Sequence, residues 1–288
     1  MSAVPLHDRA VPNRIAARFA ELRALNRAAF IPFITAGDPD PEISFELLQR
    51  LPGAGADLIE LGVPFSDPMA DGPAVQAASV RALKSGMTVR GVLGLVERFR
   101  VLDDVTPLVL MGYFNPIHAY GAQHFLRDAG HAGVDGLIIV DLSPEEDGDL
   151  RVHAAENGLE IVRLATPTTT DRRLDTVLRG AGGFLYYVSV TGVTGTKSIS
   201  TEAVAKAIAR IRRKSPLPCA VGFGIRTPEQ AASVARIADA AVVGSAMVQC
   251  VAEAMAARRP HGDVIDGALQ LCRTLSDAVH RARVTSPQ

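Results

Sequence analysis

Short apolar runs alternate with amphipathic segments along almost the whole chain. Eight of these runs have the length and the apolar continuity of strands that are buried on both faces, which is typical of parallel sheets. They cover residues 29–35, 58–61, 107–113, 136–140, 160–165, 184–188, 219–222 and 240–243. The pattern therefore predicts eight parallel strands.

Between these runs, apolar residues recur at the spacing of one helix face. The predicted helices cover residues 42–51, 88–100, 121–129, 145–157, 171–178, 201–213 and 228–237, and a last helix begins near Gly244. An extra N-terminal helix is predicted over residues 13–25. Eight strand–helix units in 288 residues favour an α/β fold of the closed (β/α)8 type, the TIM barrel, over an open doubly wound sheet.

No Pro/Ser-rich linker divides the chain, so residues 1–288 are predicted to form a single domain with flexible ends at about 1–12 and 282–288. Two insertions interrupt the regular alternation. They are residues 63–85 after the second strand and 189–200 after the sixth. Both follow the carboxyl ends of strands, where barrel enzymes place their chemistry, so we expect active-site loops there.

Composition excludes several classes of protein. The net charge is −1 without a long basic run, so neither nucleic acid nor an anionic membrane is an expected partner. The N-terminus lacks the apolar core of a signal sequence, and no apolar stretch reaches the roughly 20 residues that span a bilayer. Three widely spaced cysteines predict free thiols in a reducing cytoplasm. Seven histidines form no HxH or HExxH pair, so no metal site is expected.

Glu60 is the one carboxylate inside the apolar run 58–61. Burial of an ionised carboxylate is costly, so Glu60 should either pair with an arginine or have a raised pKa. A raised pKa suits a group that donates and accepts protons near neutral pH. Its position at the end of a predicted barrel strand favours this catalytic interpretation over the structural pair.

Downstream of Glu60, a loop rich in Pro and Asp carries Asp67 and Asp71, which could close over the same site. By spacing alone, Asp71 is more simply a cap for a helix that begins near Pro73. Asp141 ends the fourth strand, where a turn or cap before Ser143 is the simple interpretation. Tyr186 and its neighbour in the sixth strand should face opposite ways, one into the barrel and one toward the helices.

Three glycine-rich turns follow the sixth, seventh and eighth strands: Gly192–Lys197, Gly222–Arg226 and Gly244–Ala246. Glycines allow backbone N–H groups to approach an anion, and this end of a barrel commonly binds phosphate. Neither a dinucleotide fingerprint nor a P-loop is complete. No Ser/His/Asp set and no strand lysine is present, so carbon–carbon cleavage would rest on proton transfer alone.

Seven blocks of sequence occur in an order shared with one known family. The most specific is Leu-Gly-x-Pro-Phe-Ser-Asp-Pro-x-Ala-Asp-Gly-Pro at residues 61–73. The others are Phe-Ile-Pro-Phe-Ile-Thr-Ala-Gly-Asp-Pro at 30–39, Met-Gly-Tyr-Phe-Asn-Pro at 111–116, Val-Asp-Leu at 140–142, Tyr-Val-Ser-Val-Thr-Gly-Val-Thr-Gly at 187–195, Gly-Phe-Gly-Ile at 222–225 and Val-Gly-Ser at 243–245. On these blocks the chain resembles the α subunit of tryptophan synthase over about residues 15–273.

The resemblance implies retro-aldol cleavage of indole-3-glycerol phosphate to indole and glyceraldehyde 3-phosphate. Glu60 matches the acid/base carboxylate that moves protons between the glycerol hydroxyl and the indole ring. Asp71 matches the carboxylate that binds the indole N–H, and Tyr186 the active-site tyrosine. The remaining matches are apolar walls (Phe33, Met111), a phosphate site (Gly195, Gly224, Gly244, Ser245) and two closing loops (Asp67, Thr194). Some relatives carry Arg where this chain has Val190.

The resemblance also implies a β subunit partner in an α2β2 complex. Pyridoxal phosphate would belong to that partner, and this chain would need no cofactor. Three alternatives remain open from the sequence: another phosphate-binding barrel such as an isomerase or epimerase, a stand-alone indole-releasing lyase, and a non-catalytic regulatory subunit. The presence of both Glu60 and Asp71 favours the enzyme over the regulatory subunit.

Overall fold

A computed structural model describes residues 13–189, 201–222 and 224–283. Within this part of the chain, nine strands form one parallel sheet in the order β5-β4-β3-β2-β1-β9-β8-β7-β6. The strands are β1 (Ala29–Thr35), β2 (Ile59–Gly62), β3 (Leu108–Gly112), β4 (Gly136–Ile139), β5 (Glu160–Ile161), β6 (Arg163–Ala165), β7 (Leu185–Val188), β8 (Cys219–Gly222) and β9 (Ala240–Val243). The two strands at the edges of the sheet are consecutive in the chain.

The barrel closes at Val162. The predicted fifth strand is divided there, because β5 pairs with β4 whereas β6 pairs with β7. Val162 itself donates its N–H to the carbonyl of Leu137 at 3.0 Å. One run of sequence therefore joins both edges of the sheet, and the predicted TIM-barrel fold is confirmed.

Twelve α-helices lie in the described part of the chain. They are α1 (Arg14–Ala24), α2 (Pro41–Arg50), α3 (Pro73–Lys84), α4 (Val89–Arg100), α5 (Phe114–Tyr120), α6 (Ala122–Ala132), α7 (Gly148–Glu156), α8 (Asp171–Leu178), α9 (Thr201–Arg212), α10 (Pro228–Ile237), α11 (Ser245–Ala256) and α12 (His261–Arg281). The predicted last helix is in fact two helices, and α5 was not expected because seven residues give too little periodicity to detect. None of the described helices is long and apolar enough to cross a lipid bilayer.

Helix α1 corresponds to the predicted N-terminal helix, and it closes the amino end of the barrel. The side chain of Asn13 accepts hydrogen bonds from the N–H groups of Ile15 and Ala16 and so caps the helix. Ile15, Phe19 and Leu22 then pack into the interior with inward residues of the strands. The rings of Phe19 and Phe184 lie 5.8 Å apart. This apolar plug shuts one end, so chemistry is confined to the other.

Side chains alternate between the barrel interior and the surrounding helices, as a period of two requires. Leu58 packs in the interior, and Glu60 follows it by two residues on the same face. Tyr186 also packs against the interior cluster, whereas Tyr187 packs among the helices. The predicted opposite orientation of these two tyrosines is confirmed.

Three aspartates at the amino rim tie neighbouring strands together. Asp57, Asp135 and Asp239 each precede a strand and accept the N–H of a residue in the adjacent strand, at 2.7 to 2.9 Å. Asp57, which is 5% exposed, also accepts hydrogen bonds from Arg27 at 3.2 Å and His280 at 2.7 Å. Because His280 belongs to α12, this carboxylate joins the barrel floor, the amino end of the barrel where the strands begin, to the last helix.

We expect Asp57→Ala to lower the free energy of unfolding by about 3 kcal/mol, because Arg27 and the N–H of Phe30 lose a buried partner. The control is Asp266→Ala, which removes an exposed partner of Arg50 and should cost less than about 1 kcal/mol. Urea denaturation of both variants measures the difference. Equal losses would contradict the structural role of Asp57.

Candidate active site

Glu60 projects into the barrel near the carboxyl end of β2. It lies in register with Phe33 of β1 and Val109 of β3, and it is only 2% exposed. Its Oε1 atom has no hydrogen-bond partner in the described residues, and no described arginine pairs with it. Burial, and secondarily the negative charge of Asp71, raise its pKa to about 8. The arginine-paired alternative is therefore wrong, and the carboxyl group is protonated at neutral pH.

Asp71 lies between β2 and α3, close enough to Glu60 for their charges to interact. Burial raises its pKa to about 6, and a hydrogen bond from the hydroxyl of Tyr113 opposes part of that rise. The N-cap of α3 is Gly72, and no side chain caps that helix. The prediction that Asp71 acts as a helix cap is therefore wrong: its carboxylate is turned toward Tyr113 rather than toward the helix N-terminus.

Tyr113 holds the loop that carries Asp71. Its hydroxyl accepts the N–H of Ala70 at 2.9 Å and also hydrogen-bonds to Asp71. Burial and the nearby Asp71 charge raise the pKa of Tyr113 to about 12, so the hydroxyl keeps its proton as a donor. The Tyr113 hydroxyl thus holds both the backbone of the loop at Ala70 and the side chain of Asp71.

Tyr186 projects inward from β7, in register with Leu164 of β6 and Ala220 of β8. Burial raises its pKa well above the ordinary value, and the charges of Glu60 and Asp71 add to the rise. A Cβ atom on Gly222 would lie only 2.6 Å from the Tyr186 hydroxyl oxygen. A glycine at the end of β8 is therefore what leaves room for this phenol.

A small cleft of about 10 Å³ lies beside Asp71, at the carboxyl ends of β1, β2 and β3 and against α3. Phe33 packs with Ala78 and Val248, and Met111 packs against the same cluster. Asp71 and Tyr113 share the cleft, whose lining is Phe33, Thr35, Gly62, Val63, Asp71, Val75, Ser79, Met111, Gly112 and Tyr113. The predicted wall residues Phe33 and Met111 thus lie beside the acidic pair.

Three of the predicted phosphate residues, Gly224, Gly244 and Ser245, follow strands at the same end of the barrel. Ser245 is the first residue of α11, and Gly244 is its N-cap without a capping side chain, so backbone N–H groups at this terminus are free of an intrahelical partner. A Cβ on Gly244 would lie 3.5 Å from that of Phe33, which places this turn against the cleft. Gly224 has φ +62°, a conformation that favours glycine.

A sequence profile of the family described as tryptophan synthase alpha chain matches residues 19–280. A tryptophan synthase alpha chain from Legionella pneumophila subsp. pneumophila is 39% identical, with a TM-score of 0.85 over 93% of this chain and 98% of that one. A Mycobacterium tuberculosis tryptophan synthase is 35% identical, with a TM-score of 0.83 over 93% and 98%. An Aquifex aeolicus VF5 structure is 34% identical, with a TM-score of 0.83 over 93% and 99%.

The chain belongs to the tryptophan synthase alpha chain family. The family catalyses a lyase reaction, the cleavage of indole-3-glycerol phosphate to indole and glyceraldehyde 3-phosphate. The resemblance stated from the sequence blocks is thereby confirmed.

Four further predicted positions complete the comparison between the sequence and the structure of this chain. Asp67 is exposed in the loop after β2 and accepts the hydroxyl of Ser66 at 2.5 Å. Thr194, Gly195 and Val190 lie outside the described residues, as do chain ends 1–12 and 284–288.

Asp141 lies in the turn that follows β4 and precedes Ser143, as predicted. Its carboxylate accepts the N–H of Phe114 at 2.7 Å and so holds the first residue of α5, next to Tyr113. This hydrogen bond to the neighbouring strand–helix connection was not predicted from the sequence.

A second cavity, of about 280 Å³, lies at the carboxyl ends of β4 and β6. Its polar lining includes Asp141, Ser143, Arg163 and Thr169, and neither Glu60 nor Asp71 contributes to it. The larger cavity is thus not the one that holds the acidic pair. Among the described residues, no group of three or more His, Cys, Asp or Glu is arranged to hold a metal ion, and all three cysteines are free.

The sequence analysis did not identify Tyr113 as a site residue. It also did not find that Gly222 leaves space for the Tyr186 side chain. Tyr113 was assigned to the end of the third strand, whereas it follows β3 and precedes α5. A polar aromatic residue at the carboxyl end of a barrel strand was a usable signal. The contact between Gly222 and Tyr186 joins residues 36 positions apart and required the barrel register.

We expect Tyr113→Phe to raise the pKa of Asp71 further, because the mutation removes a hydrogen bond that favours the ionised carboxylate. Carbon-13 NMR titration of the Asp71 carboxyl carbon measures the shift. Tyr120→Phe is the matched control, since Tyr120 donates its hydroxyl to Asp128 on the surface at 2.9 Å. An Asp71 pKa that is unchanged in Tyr113→Phe would rule out this role.

Proposed function

We propose that Glu60, Asp71 and Tyr186 carry the cleavage of indole-3-glycerol phosphate in this chain. The observation that supports this most directly is the buried Glu60 carboxyl, whose Oε1 atom has no partner among the described residues, near the half-buried Asp71. Their pKa values of about 8 and about 6 differ, so near pH 7 Glu60 is an acid and Asp71 an anion. Two carboxyl groups then have two distinct tasks.

The first task is protonation of the indole ring. The Glu60 carboxyl gives its proton to the ring carbon that bears the glycerol chain, and the ring becomes positively charged and iminium-like. The Asp71 carboxylate accepts the indole N–H and stabilises that charge in a site of low dielectric constant. Ring protonation converts indole into a leaving group.

The second task is removal of the hydroxyl proton. The Glu60 carboxylate, now ionised, takes the proton from the glycerol hydroxyl next to the ring, and the O–H electrons form the aldehyde. The carbon–carbon bond breaks and its electrons return to the ring, which leaves neutral indole. One proton has moved from oxygen to carbon, and Glu60 is protonated again. The hydroxyl of Tyr186 keeps its proton near neutral pH and lies close enough to Glu60 for their charges to interact.

Substrate binding is divided between two surfaces. Phe33 and Met111 would hold the indole ring, and Gly224, Gly244 and Ser245 would hold the phosphate at the N-terminus of α11, together with Gly195. The loops that carry Asp67 and Thr194 would close over the bound substrate and exclude water. No cofactor is required for this proton-transfer chemistry.

We also propose the partner and the compartment. The M. tuberculosis relatives are structures of tryptophan synthase, so a β subunit is the expected partner, in an α2β2 assembly whose β subunit holds pyridoxal phosphate. The three free thiols fit the reducing cytoplasm.

We expect Glu60→Gln to lower kcat for indole release by about 100-fold or more, because the amide can neither give nor take the transferred proton. Glu97→Gln makes the same chemical change on the exposed surface of α4 and should leave kcat unaltered. Indole release from indole-3-glycerol phosphate by the purified chain, with and without a β subunit, measures both. Near-normal turnover of Glu60→Gln would overturn the mechanism.

The same assay separates the remaining alternatives for the wild-type chain. Slow release that accelerates with the β subunit supports the α-subunit role, whereas equally fast release without the partner indicates a stand-alone lyase. Substrate binding without indole release in either case indicates a regulatory subunit.

The pH dependence of kcat/KM should be bell-shaped, with limbs near pH 6 and pH 8, because activity needs ionised Asp71 and protonated Glu60. In Asp71→Asn, the limb near pH 6 should disappear and the rate should fall, since the amide does not ionise. Steady-state assays from pH 5 to pH 9, about one unit beyond each limb, test this. A limb near pH 6 that persists in Asp71→Asn would assign it to another group.

A further inference from the structure

We propose that the chain has a second anion site, for one phosphate-sized oxyanion, at the amino end of the barrel opposite Glu60. A cavity of about 70 Å³ lies there, between the end of α1 and the segments that precede β8 and β9. Its polar lining consists of Arg23, Asn26, Arg27, Asp239 and Arg283. Phe19, Leu22 and Pro218 form its apolar side.

The cavity carries an excess of positive charge. Three arginines line it and only one carboxylate does. That carboxylate, Asp239, is already engaged: it accepts the N–H of Cys219 at 2.9 Å and a hydrogen bond from Arg212, outside the cavity, at 3.1 Å. The lining arginines therefore lack a full set of counter-charges within the cavity.

The three arginines also have N–H groups that make no hydrogen bond to the described residues. Arg27 binds Asp57 through Nη2, but its Nε is buried without a hydrogen-bond partner in the described residues. Arg283 donates Nε and Nη2 to the carbonyls of Ala235 and Ala238 at the end of α10, which leaves Nη1. The guanidinium of Arg23 makes no hydrogen bond or ion pair within the described part of the chain. Arg23 is exposed, and its guanidinium and the Nη1 atom of Arg283 can form charge-assisted hydrogen bonds to an oxyanion in the cavity.

The cavity has room for a small ligand. Its volume of about 70 Å³ is several times the roughly 10–15 Å³ that one water molecule needs by the same measure. One tetrahedral oxyanion such as phosphate fits this space, and the positive lining favours an anion. Burial lowers the pKa of Arg283, the charge of Asp239 opposes part of that shift, and Arg212 adds to it.

A bound anion would join segments that are distant in the sequence. Arg23 and Arg27 flank the turn that ends α1, and Arg283 follows the last turn of α12. The first and last described helices would be held to the barrel floor through one ligand. Binding to the folded state alone should then raise the melting temperature.

Inorganic phosphate, titrated at constant ionic strength, is the probe. Backbone amide NMR signals of Asn26 and Arg27 report the amino end, and that of Ser245 separately reports phosphate binding at the opposite end. We expect the Asn26 and Arg27 signals to shift with a saturable curve. Arg23→Gln and Arg283→Gln should each weaken that curve about tenfold or more and leave the Ser245 response unchanged. Arg172→Gln, an exposed position on α8, is the charge-matched control.

Two results would overturn the proposal. One is the absence of a saturable shift at Asn26 and Arg27 while Ser245 responds. The other is equal weakening of the curve by Arg172→Gln and Arg23→Gln, which would indicate non-specific attraction to net charge. Because the Arg23 side chain makes no hydrogen bond or ion pair with the described residues, its variant keeps the test independent of folding.

Discussion

The candidate site depends on one constraint, a carboxyl group that is buried with no arginine beside it among the described residues. Glu60 could form an ordinary ion pair if an arginine faced it, and its pKa would then fall rather than rise. The barrel instead surrounds it with inward apolar side chains and a second carboxylate, so its neutral form is favoured near neutral pH. The cost of burying the charge is what prepares Glu60 to donate a proton.

The loop after β2 supplies the second carboxyl group, Asp71, whose pKa rises less than that of Glu60. Asp71 is less buried than Glu60 and receives a hydrogen bond from Tyr113, so its pKa remains lower and its charged form persists. Asp141 in turn holds the backbone next to Tyr113. Three strand–helix connections, after β2, β3 and β4, thus cooperate to keep two neighbouring carboxyl groups in different protonation states.

The two ends of the barrel differ in whether their buried carboxyl groups have hydrogen-bond partners. At the amino end, Asp57, Asp135 and Asp239 accept strand N–H groups and arginine side chains, and these bonds lock the strands in register. At the carboxyl end, the Oε1 atom of Glu60 has no hydrogen-bond partner among the residues that the structure describes. Stability and chemistry are thereby separated along the barrel axis, as the fold allows.

Much of the fold could be predicted because apolar periodicity is a local property of the sequence. The eight apolar runs correspond to the strands, and the run at 160–165 differs only because its pairing partner changes at Val162. The short α5 and the break between α11 and α12 escaped prediction, since the former is too brief for a periodic signal and the latter interrupts one continuous pattern.

The sequence by itself determined the strand order along the chain, the inward face of each strand and the placement of Glu60 on that face, because side-chain alternation follows from backbone geometry. Only the tertiary structure decided which groups meet. Whether Glu60 met an arginine or an aspartate, and whether Asp71 turned to α3 or to Tyr113, depended on contacts between separate strand–helix units. Such contacts set burial and charge around each carboxyl group, and these set its pKa.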